Sequence, residues 1–281
     1  MTSRTLLVTS FVLCITLPAP SLAASQQTGA RSLVQRVVNG ELAADAKDHS
    51  HWMFEDYKKV PGKSTLKLVV QTAEGNISKT IEIDGHAPTM EERKDDADKL
   101  HKFLTDPSVR QQQSKDQQQD GAKARALTEM LPDAFLWKIV RRHGAETTLA
   151  FDPNPHFSPP THEAQVFAAM KGTMVVNTEQ NRIVSLRGVL TQDVDFGFGI
   201  LGQLEKGGTF DVQRTQVGPG IWEITATHIH IQGHMLLFKS ISEQQDEVTS
   251  HYKPVPPGVS MAAAARMLNN GAAARELNVH P

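Results

Sequence analysis

The feature that most constrains this chain is a series of short apolar segments separated by short turns between residues 134 and 254. Candidate strands are 136–141, 147–151, 172–177, 183–190, 208–215, 221–231, 234–242 and 247–253. Turn-forming stretches such as 177–181, 218–220 and 232–233 join several of them. Consecutive strands joined by such short links lie antiparallel. The pattern therefore predicts one large antiparallel sheet.

Helical segments interrupt this pattern and precede it. Two further strands, 64–72 and 76–84, alternate in hydropathy around a turn at 73–76 and predict a hairpin. Helices are predicted at 30–46, 88–131, 162–170 and 260–277. The segment 88–131 begins with Pro88 and contains a glutamine-rich tract at 111–119 with little to bury. We expect an α+β fold in which 88–131 is an exposed insertion between two parts of the sheet.

The N-terminus has the order of a secretory signal peptide. Arg4 precedes an apolar run at 6–17, and small residues follow at Ala23 and Ala24. The run is shorter than the roughly 20 residues that a membrane-spanning helix needs. We predict cleavage near Ala23, export to the periplasm or beyond, and no transmembrane segment in the mature chain. The predicted organisation is a signal peptide at 1–23, one domain at 24–258 and a helical tail at 259–281.

Composition excludes several classes of function. The only cysteine is Cys14, so the mature chain has no disulfide and no thiolate metal site. A formal net charge of −2 argues against nucleic acid as a partner. The chain contains no G-x-S-x-G, H-E-x-x-H or P-loop motif. Enzyme activity therefore has no positive sequence evidence, and we expect no cofactor.

Two short motifs resemble chemical sites. The glycines at 197, 199 and 202 match dinucleotide-site spacing, but only residues 203–207 separate them from the next strand, which leaves no room for the required helix. His228 and His230 would share one face of a strand and could both reach a zinc ion, with His234 joining from beyond the turn. A secreted metal-dependent hydrolase is therefore one alternative, although a third ligand and a general base remain unplaced among His156, His162 and Glu163.

An apolar strand face is the stronger binding feature. Strict alternation places Trp222, Ile224 and Ala226 on the face of His228, with Glu223, Thr225 and Thr227 opposite. Neighbouring strands can extend this surface, which is either a core covered by helices or a partly filled cavity for an apolar ligand. The candidate lining residues are Val184, Leu186, Phe210, Val212, Trp222 and Ile224.

The tract 169–188 (AMKGTMVVNTEQNRIVSLRG) carries a family resemblance. A strand after a glycine ends in a polar turn and returns through Arg182 and Ile183, and it is followed by the tract 196–210 and the strand around Trp222. Over residues 134–255 this order resembles the periplasmic lipoprotein-carrier and sorting superfamily (LolA/LolB-like). The resemblance implies a single, highly curved, open half-barrel capped by helices over an apolar cavity. The insertion at 88–131 departs from the compact carrier.

These features predict an exported protein that binds a lipid, an acyl chain or a lipoprotein, as a carrier or sensor. Besides the hydrolase, a third alternative is an envelope scaffold that binds another protein through the sheet edge or the glutamine-rich insertion. A one-residue error in strand register would reverse every lining assignment.

Overall fold

A computed structural model describes residues 22–196, 202–235 and 244–279 of the chain. The helices in these ranges are α1 (Leu22–Asp45), α2 (Met90–Thr105), α3 (Pro107–Ala134), a 3₁₀ helix (Glu163–Ala169) and α4 (Met261–Val279). Capping side chains define where α2 and α3 begin. Thr89 forms a capping box with Glu92, and Asp106 caps α3 just before Pro107. No helix in the described ranges has the length and hydropathy to cross a membrane.

Ten strands form one sheet in the order β3-β2-β1-β13-β11-β10-β7-β6-β5-β4, with every neighbouring pair antiparallel. A second sheet has the order β12-β9-β8. The strands are β1 (Trp52–Val60), β2 (Lys63–Thr72), β3 (Gly75–Ile83), β4 (Phe135–His143), β5 (Glu146–Pro153), β6 (Met170–Asn177), β7 (Arg182–Leu190), β8 (Val194–Phe196), β9 (Gly202–Leu204), β10 (Thr209–Gly218), β11 (Ile221–His230), β12 (Gly233–Met235) and β13 (Gln244–Pro254).

The α+β class and the large antiparallel sheet are confirmed. The outer strands β3 and β4 do not pair with each other, so the sheet is not closed.

Strand β1 was missed because Glu55, Asp56, Lys58 and Lys59 hide any alternation. The predicted strand 234–242 lies mostly outside the described residues, as does most of the glycine motif. Cleavage after Ala23 would fall in the first turn of α1 and stays a prediction.

The sheet has two apolar cores, and they lie on opposite faces. Residues directly opposite each other in an antiparallel pair point to the same side. A row of directly opposite residues crosses six strands and defines one face of the sheet, here called the α1 face. Its members are Leu186, Val212, Thr227, Glu247, Lys58 and Thr65. Leu66 and Leu68 alternate with Thr65 in β2 and point to the other side, the α4 face.

The first core covers the α1 face at the β4 end of the sheet. Its fully buried members include Val34 and Val37 of α1, Trp137 of β4, Leu149 of β5 and Met174 of β6. The second core covers the α4 face at the β3 end. There Leu268 of α4 packs with Leu68, Val70, Ile77 and Phe103. Among the described residues, each face is therefore packed under helices at one end of the sheet only.

Helix α3 links the two cores. Val109 near its start packs against the second core, whereas Leu127 and Leu131 near its end belong to or pack against the first. At 1.5 Å per residue, 28 residues span roughly 42 Å. All residues from 115 to 126 are exposed. The middle of α3 thus acts as a connection between the cores and buries no side chain of its own.

Candidate functional site

A cavity of about 430 Å³ lies between α1, α3 and the strands β7, β10 and β11. Its wall is partly apolar, with Leu42, Leu131, Ile183, Leu186, Val212, Ile221, Trp222 and Ile224. Charged side chains also line it: Glu41, Asp45, Asp48, Arg125, Arg182, Arg214 and Glu223. The volume lies within the range of small-molecule sites, and the mixed lining suits a ligand with an apolar part and a polar part.

A buried carboxylate holds α1 at this cavity. Glu41 is 7% exposed, and its side chain forms ion pairs with Arg182 (Nε to Oε2, 3.1 Å) and with Arg214. The backbone N–H of Ile183 donates to the other carboxylate oxygen of Glu41. Arg214 also donates to the carbonyl oxygen of Trp222 (2.8 Å). Glu41 therefore ties the helix directly to β7 and β10, and through Arg214 to β11.

A close approach of α1 to the sheet makes this contact possible. A Cβ atom at Gly40 would lie 2.6 Å from the carbonyl oxygen of Asn181, in the turn between β6 and β7. Glycine is therefore required where the helix passes this turn. The neighbouring residues Glu41 and Arg182 are brought together as a result. Gly40 thus weakens α1 locally but allows the close approach that places Glu41 at the cavity.

Acidic groups dominate the α1 end of the cavity. Burial raises the pKa of the Glu223 carboxyl, and the nearby carboxylate of Asp48 raises it further, against the lowering effect of Arg214. The pKa of Arg182 is lowered mainly by burial, while Glu41 opposes that change. The last turn of α1 contains no basic residue, although a helix C-terminus favours cations. Asp45, in the last turn of α1, therefore lies where the helix dipole disfavours an acidic side chain.

Trp222 is positioned by a hydrogen-bonded turn. Its indole Nε1–H donates to Gln180 (2.8 Å), and the Gln180 amide is 3.3 Å from Gln216. A partly buried tryptophan that has its polar atom satisfied leaves its ring face free to contact an apolar group. Trp222 thereby forms part of the cavity wall.

The structure brings four of the six predicted lining residues to the cavity: Leu186, Val212, Trp222 and Ile224. Val184 has no direct partner, because the β6–β7 register shifts from Val175↔Ser185 to Val176↔Ile183, and Ile183 lines the cavity in its place. Phe210 pairs with Gly188 and packs against the first core. Val184 and Phe210 are thus absent from the lining of this cavity.

A second bulge corrects the assignment of faces in β11. The pairs Gln213↔Ala226 and Arg214↔Ile224 leave Thr225 without a directly opposite residue in β10. The extra residue moves Thr227 onto the face of Trp222 and Ile224, and it moves His228 to the opposite face. The prediction that Ala226 and His228 share the face of Trp222 was therefore wrong.

The histidine pair contacts a carboxylate. His228 Nδ1 lies 2.8 Å and His230 Nε2 lies 3.1 Å from the same oxygen of Asp246, and these hydrogen bonds help to lower the pKa of Asp246. The two imidazoles do share a face, as predicted. The side chain of His234 lies outside the described part of the structure. Among the side chains that are described, no group of three or more His, Cys, Asp or Glu residues could hold a metal ion.

Sequence reasoning missed the charged members of the site. Glu41 lies more than a hundred residues before Arg182 and Arg214, and only the folded chain brings the three together. One signal was present: acidic residues at positions 41, 45 and 48 near the end of a predicted helix oppose the helix dipole.

Searches against protein-family models, curated proteins and solved structures found no match to this chain.

Proposed function

We propose that this protein binds an amphiphile, a lipid or other acyl-chain molecule, in the cavity between α1, α3 and the sheet. The observation that carries the proposal is the cavity lining itself, in which apolar side chains of three strands meet a charged end. Burial of an alkyl chain there would contribute about 0.8 kcal/mol per methylene. The charged end would face the polar part of the ligand.

The resemblance to the LolA/LolB-like superfamily supports this proposal at the level of architecture. That resemblance implies an open antiparallel sheet with helices over an apolar cavity. The sheet is open and α1 and α3 border the cavity, whereas α4 covers the opposite face at the β3 end. We infer that the sheet bends strongly around α1, as in a half-barrel. Transport of lipoproteins is one specific form of the proposed binding function, and a sensor that retains a single lipid is another.

Export is a separate part of the proposal, and it rests on the order of residues at 1–24. Cell fractionation and N-terminal sequencing of the mature protein test it. We expect the envelope or extracellular fraction to contain a chain that begins near Ala24. An intact N-terminus in the cytoplasm would contradict export and would leave the cavity proposal to be judged on binding alone.

Ligand binding can be measured by titrating delipidated protein with a single-chain fatty acid and following tryptophan fluorescence. Trp222 lies in the cavity wall, whereas Trp52 and Trp137 are buried elsewhere. We expect saturable binding near one to one, with an emission change that is lost in Trp222→Phe. Absence of saturable binding to fatty acid, lysolipid and acylated peptide would contradict the proposal.

Matched variants locate the binding site. Val212→Trp places a large ring in the cavity and is expected to weaken binding about tenfold or more. The control is Val248→Trp, because Val248 is exposed on the α4 face and should leave binding unchanged. If Val212→Trp does not fold, Ile224→Lys serves instead, because Ile224 lines the cavity and is 51% exposed. Equal affinities for cavity and control variants would place the ligand elsewhere.

A further inference from the structure

The two edges of the ten-stranded sheet differ in how they end. At β3, the outward backbone groups of Asn76 exchange hydrogen bonds with the side chain of Gln113 in α3, at 2.7 and 3.1 Å. The backbone N–H of Thr80 donates to Asp96 in α2. Side chains of two helices therefore occupy the β3 edge, which is one of the ways in which proteins protect a terminal strand.

The β4 edge lacks this protection. In the described ranges, β4 pairs with β5 alone, and no hydrogen bond reaches the outer side of its backbone. Helices α1 and α3 do contact β4, but α1 packs over its face, where Trp137 is buried. The outward backbone groups of alternate residues in β4 can thus accept hydrogen bonds from another chain and donate to it.

The side chains of β4 favour a particular partner. Lys138, Arg141 and Arg142 are exposed, and none forms an ion pair with any described residue. Leu136 and Val140 are 42% and 60% exposed and add apolar surface to this edge of the sheet. The strand therefore combines uncompensated positive charge with apolar contact area.

A second copy of the chain is a poor occupant of this edge. Pairing of two β4 strands would bring the cations of both copies onto one ribbon, and like charges facing each other across strands are destabilising. Positive charge on an edge strand thus opposes self-association and attracts acidic chains.

We propose that the β4 edge binds an extended acidic segment of another protein, which adds to the sheet as a further strand. Backbone hydrogen bonds supply the alignment, and alternate carboxylates of the segment pair with Lys138 and Arg141, which share one face of β4, whereas Arg142 adds positive charge on the other face. The aliphatic parts of those acidic side chains contact Leu136, which lies on the same face as Lys138. This binding is independent of the cavity and of its ligand.

The test uses the full mature chain and a fluorescent peptide of about ten residues in which glutamate and valine alternate. We expect saturable binding that weakens as salt rises, together with slower amide exchange in β4. The same peptide with lysine in place of glutamate should bind at least about tenfold more weakly. N-methylation of alternate peptide nitrogens should abolish binding, because it removes the backbone donors of an added strand.

A charge-matched pair of variants locates the contact. The triple variant Lys138→Glu, Arg141→Glu and Arg142→Glu is expected to lose binding. The control Lys115→Glu, Lys123→Glu and Lys171→Glu has the same change in net charge at exposed positions away from the edge and should bind normally. Equal loss in both variants, or full binding of the N-methylated peptide, would reduce the effect to general electrostatics and overturn the proposal. A β4-dependent dimer in sedimentation would overturn it in favour of a second copy.

Discussion

The β4 end and the β3 end of the sheet bury opposite faces. At the β4 end, α1 covers the face that includes Met174 and Leu186, and at the β3 end α4 covers the face that includes Leu68 and Val70. Both ends have the usual arrangement of one packed and one solvated face. The buried face of a single sheet can therefore change from one side to the other between its two ends. This requires that the strands between the two cores have side chains that suit water or polar neighbours on both sides.

The strands between the cores meet this condition with polar side chains. On the α1 face, Glu247 of β13 lies opposite Lys58 of β1, and Lys67 of β2 lies opposite Asp56. One carboxylate oxygen of Asp56 is buried and has no hydrogen-bond partner. The proposed binding cavity lies where the apolar part of the α1 face gives way to this polar strip. The cavity therefore lies next to the strands at which the buried face of the sheet changes sides.

The largest effect is expected at Glu41. Glu41→Ala removes the shared partner of Arg182 and Arg214 and leaves two guanidinium groups facing each other, so the free energy of unfolding should fall by about 3–5 kcal/mol. Chemical denaturation measures this change. The matched control is Glu129→Ala, which breaks the exposed pair with Arg125 and should cost less than about 0.5 kcal/mol. Similar losses in the two variants would contradict a structural role for Glu41.

Core truncations sharpen the comparison between the two ends. Leu268→Ala in α4 and Met174→Ala in β6 each remove a fully buried side chain and should cost about 2–5 kcal/mol. Hydrogen exchange should respond locally: Leu268→Ala accelerates exchange in β2, β3 and α4, and Met174→Ala accelerates it in β5 to β7 and α1. Identical exchange patterns for both variants would mean that the two cores behave as one unit.

A smaller effect is expected in the polar strip. Burial, reinforced by Glu247, raises the pKa of the Asp56 carboxyl above its ordinary value of 3.8. The charged form is therefore less favourable in the folded chain than in the unfolded chain, and the penalty applies in full above the folded-state pKa. Asp56→Asn should stabilise the protein at pH 7, with Tm raised by about 2 °C.

The advantage of Asp56→Asn should shrink as the pH falls through the folded-state pKa of Asp56 toward 3.8, because the wild-type carboxyl becomes neutral there. Thermal denaturation of both proteins between pH 7 and pH 4 measures the trend. A stabilisation that is constant with pH, or a loss of stability at pH 7, would show that Asp56 is not held in an unfavourable charged state.

Much of the fold could be predicted because its signals are local. Alternation and turns located most strands of the large sheet, and Pro88 and apolar spacing located the helical segments. Strand β1 could not be predicted, since both of its faces carry charged residues where it lies between the two cores. The exchange of buried face requires the full set of strand pairings, which short sequence windows do not contain.

The candidate site was predictable only in part, for related reasons. Alternation placed Leu186 and Val212 correctly, but the bulges at Val184 and Thr225 each shift the face by one residue. Those bulges depend on pairing with the neighbouring strand and leave no clear mark in the sequence. The contact between Glu41 and the two arginines depends on tertiary packing.

The most direct test of the proposed cavity function is native mass spectrometry of the protein purified from the cells that make it, followed by denaturing extraction of any released compound. We expect a lipid or acylated molecule bound near one to one in the wild type and strongly reduced in Val212→Trp, with Val248→Trp unchanged. A wild-type protein of apo mass that also takes up no added fatty acid or lysolipid would contradict the binding function.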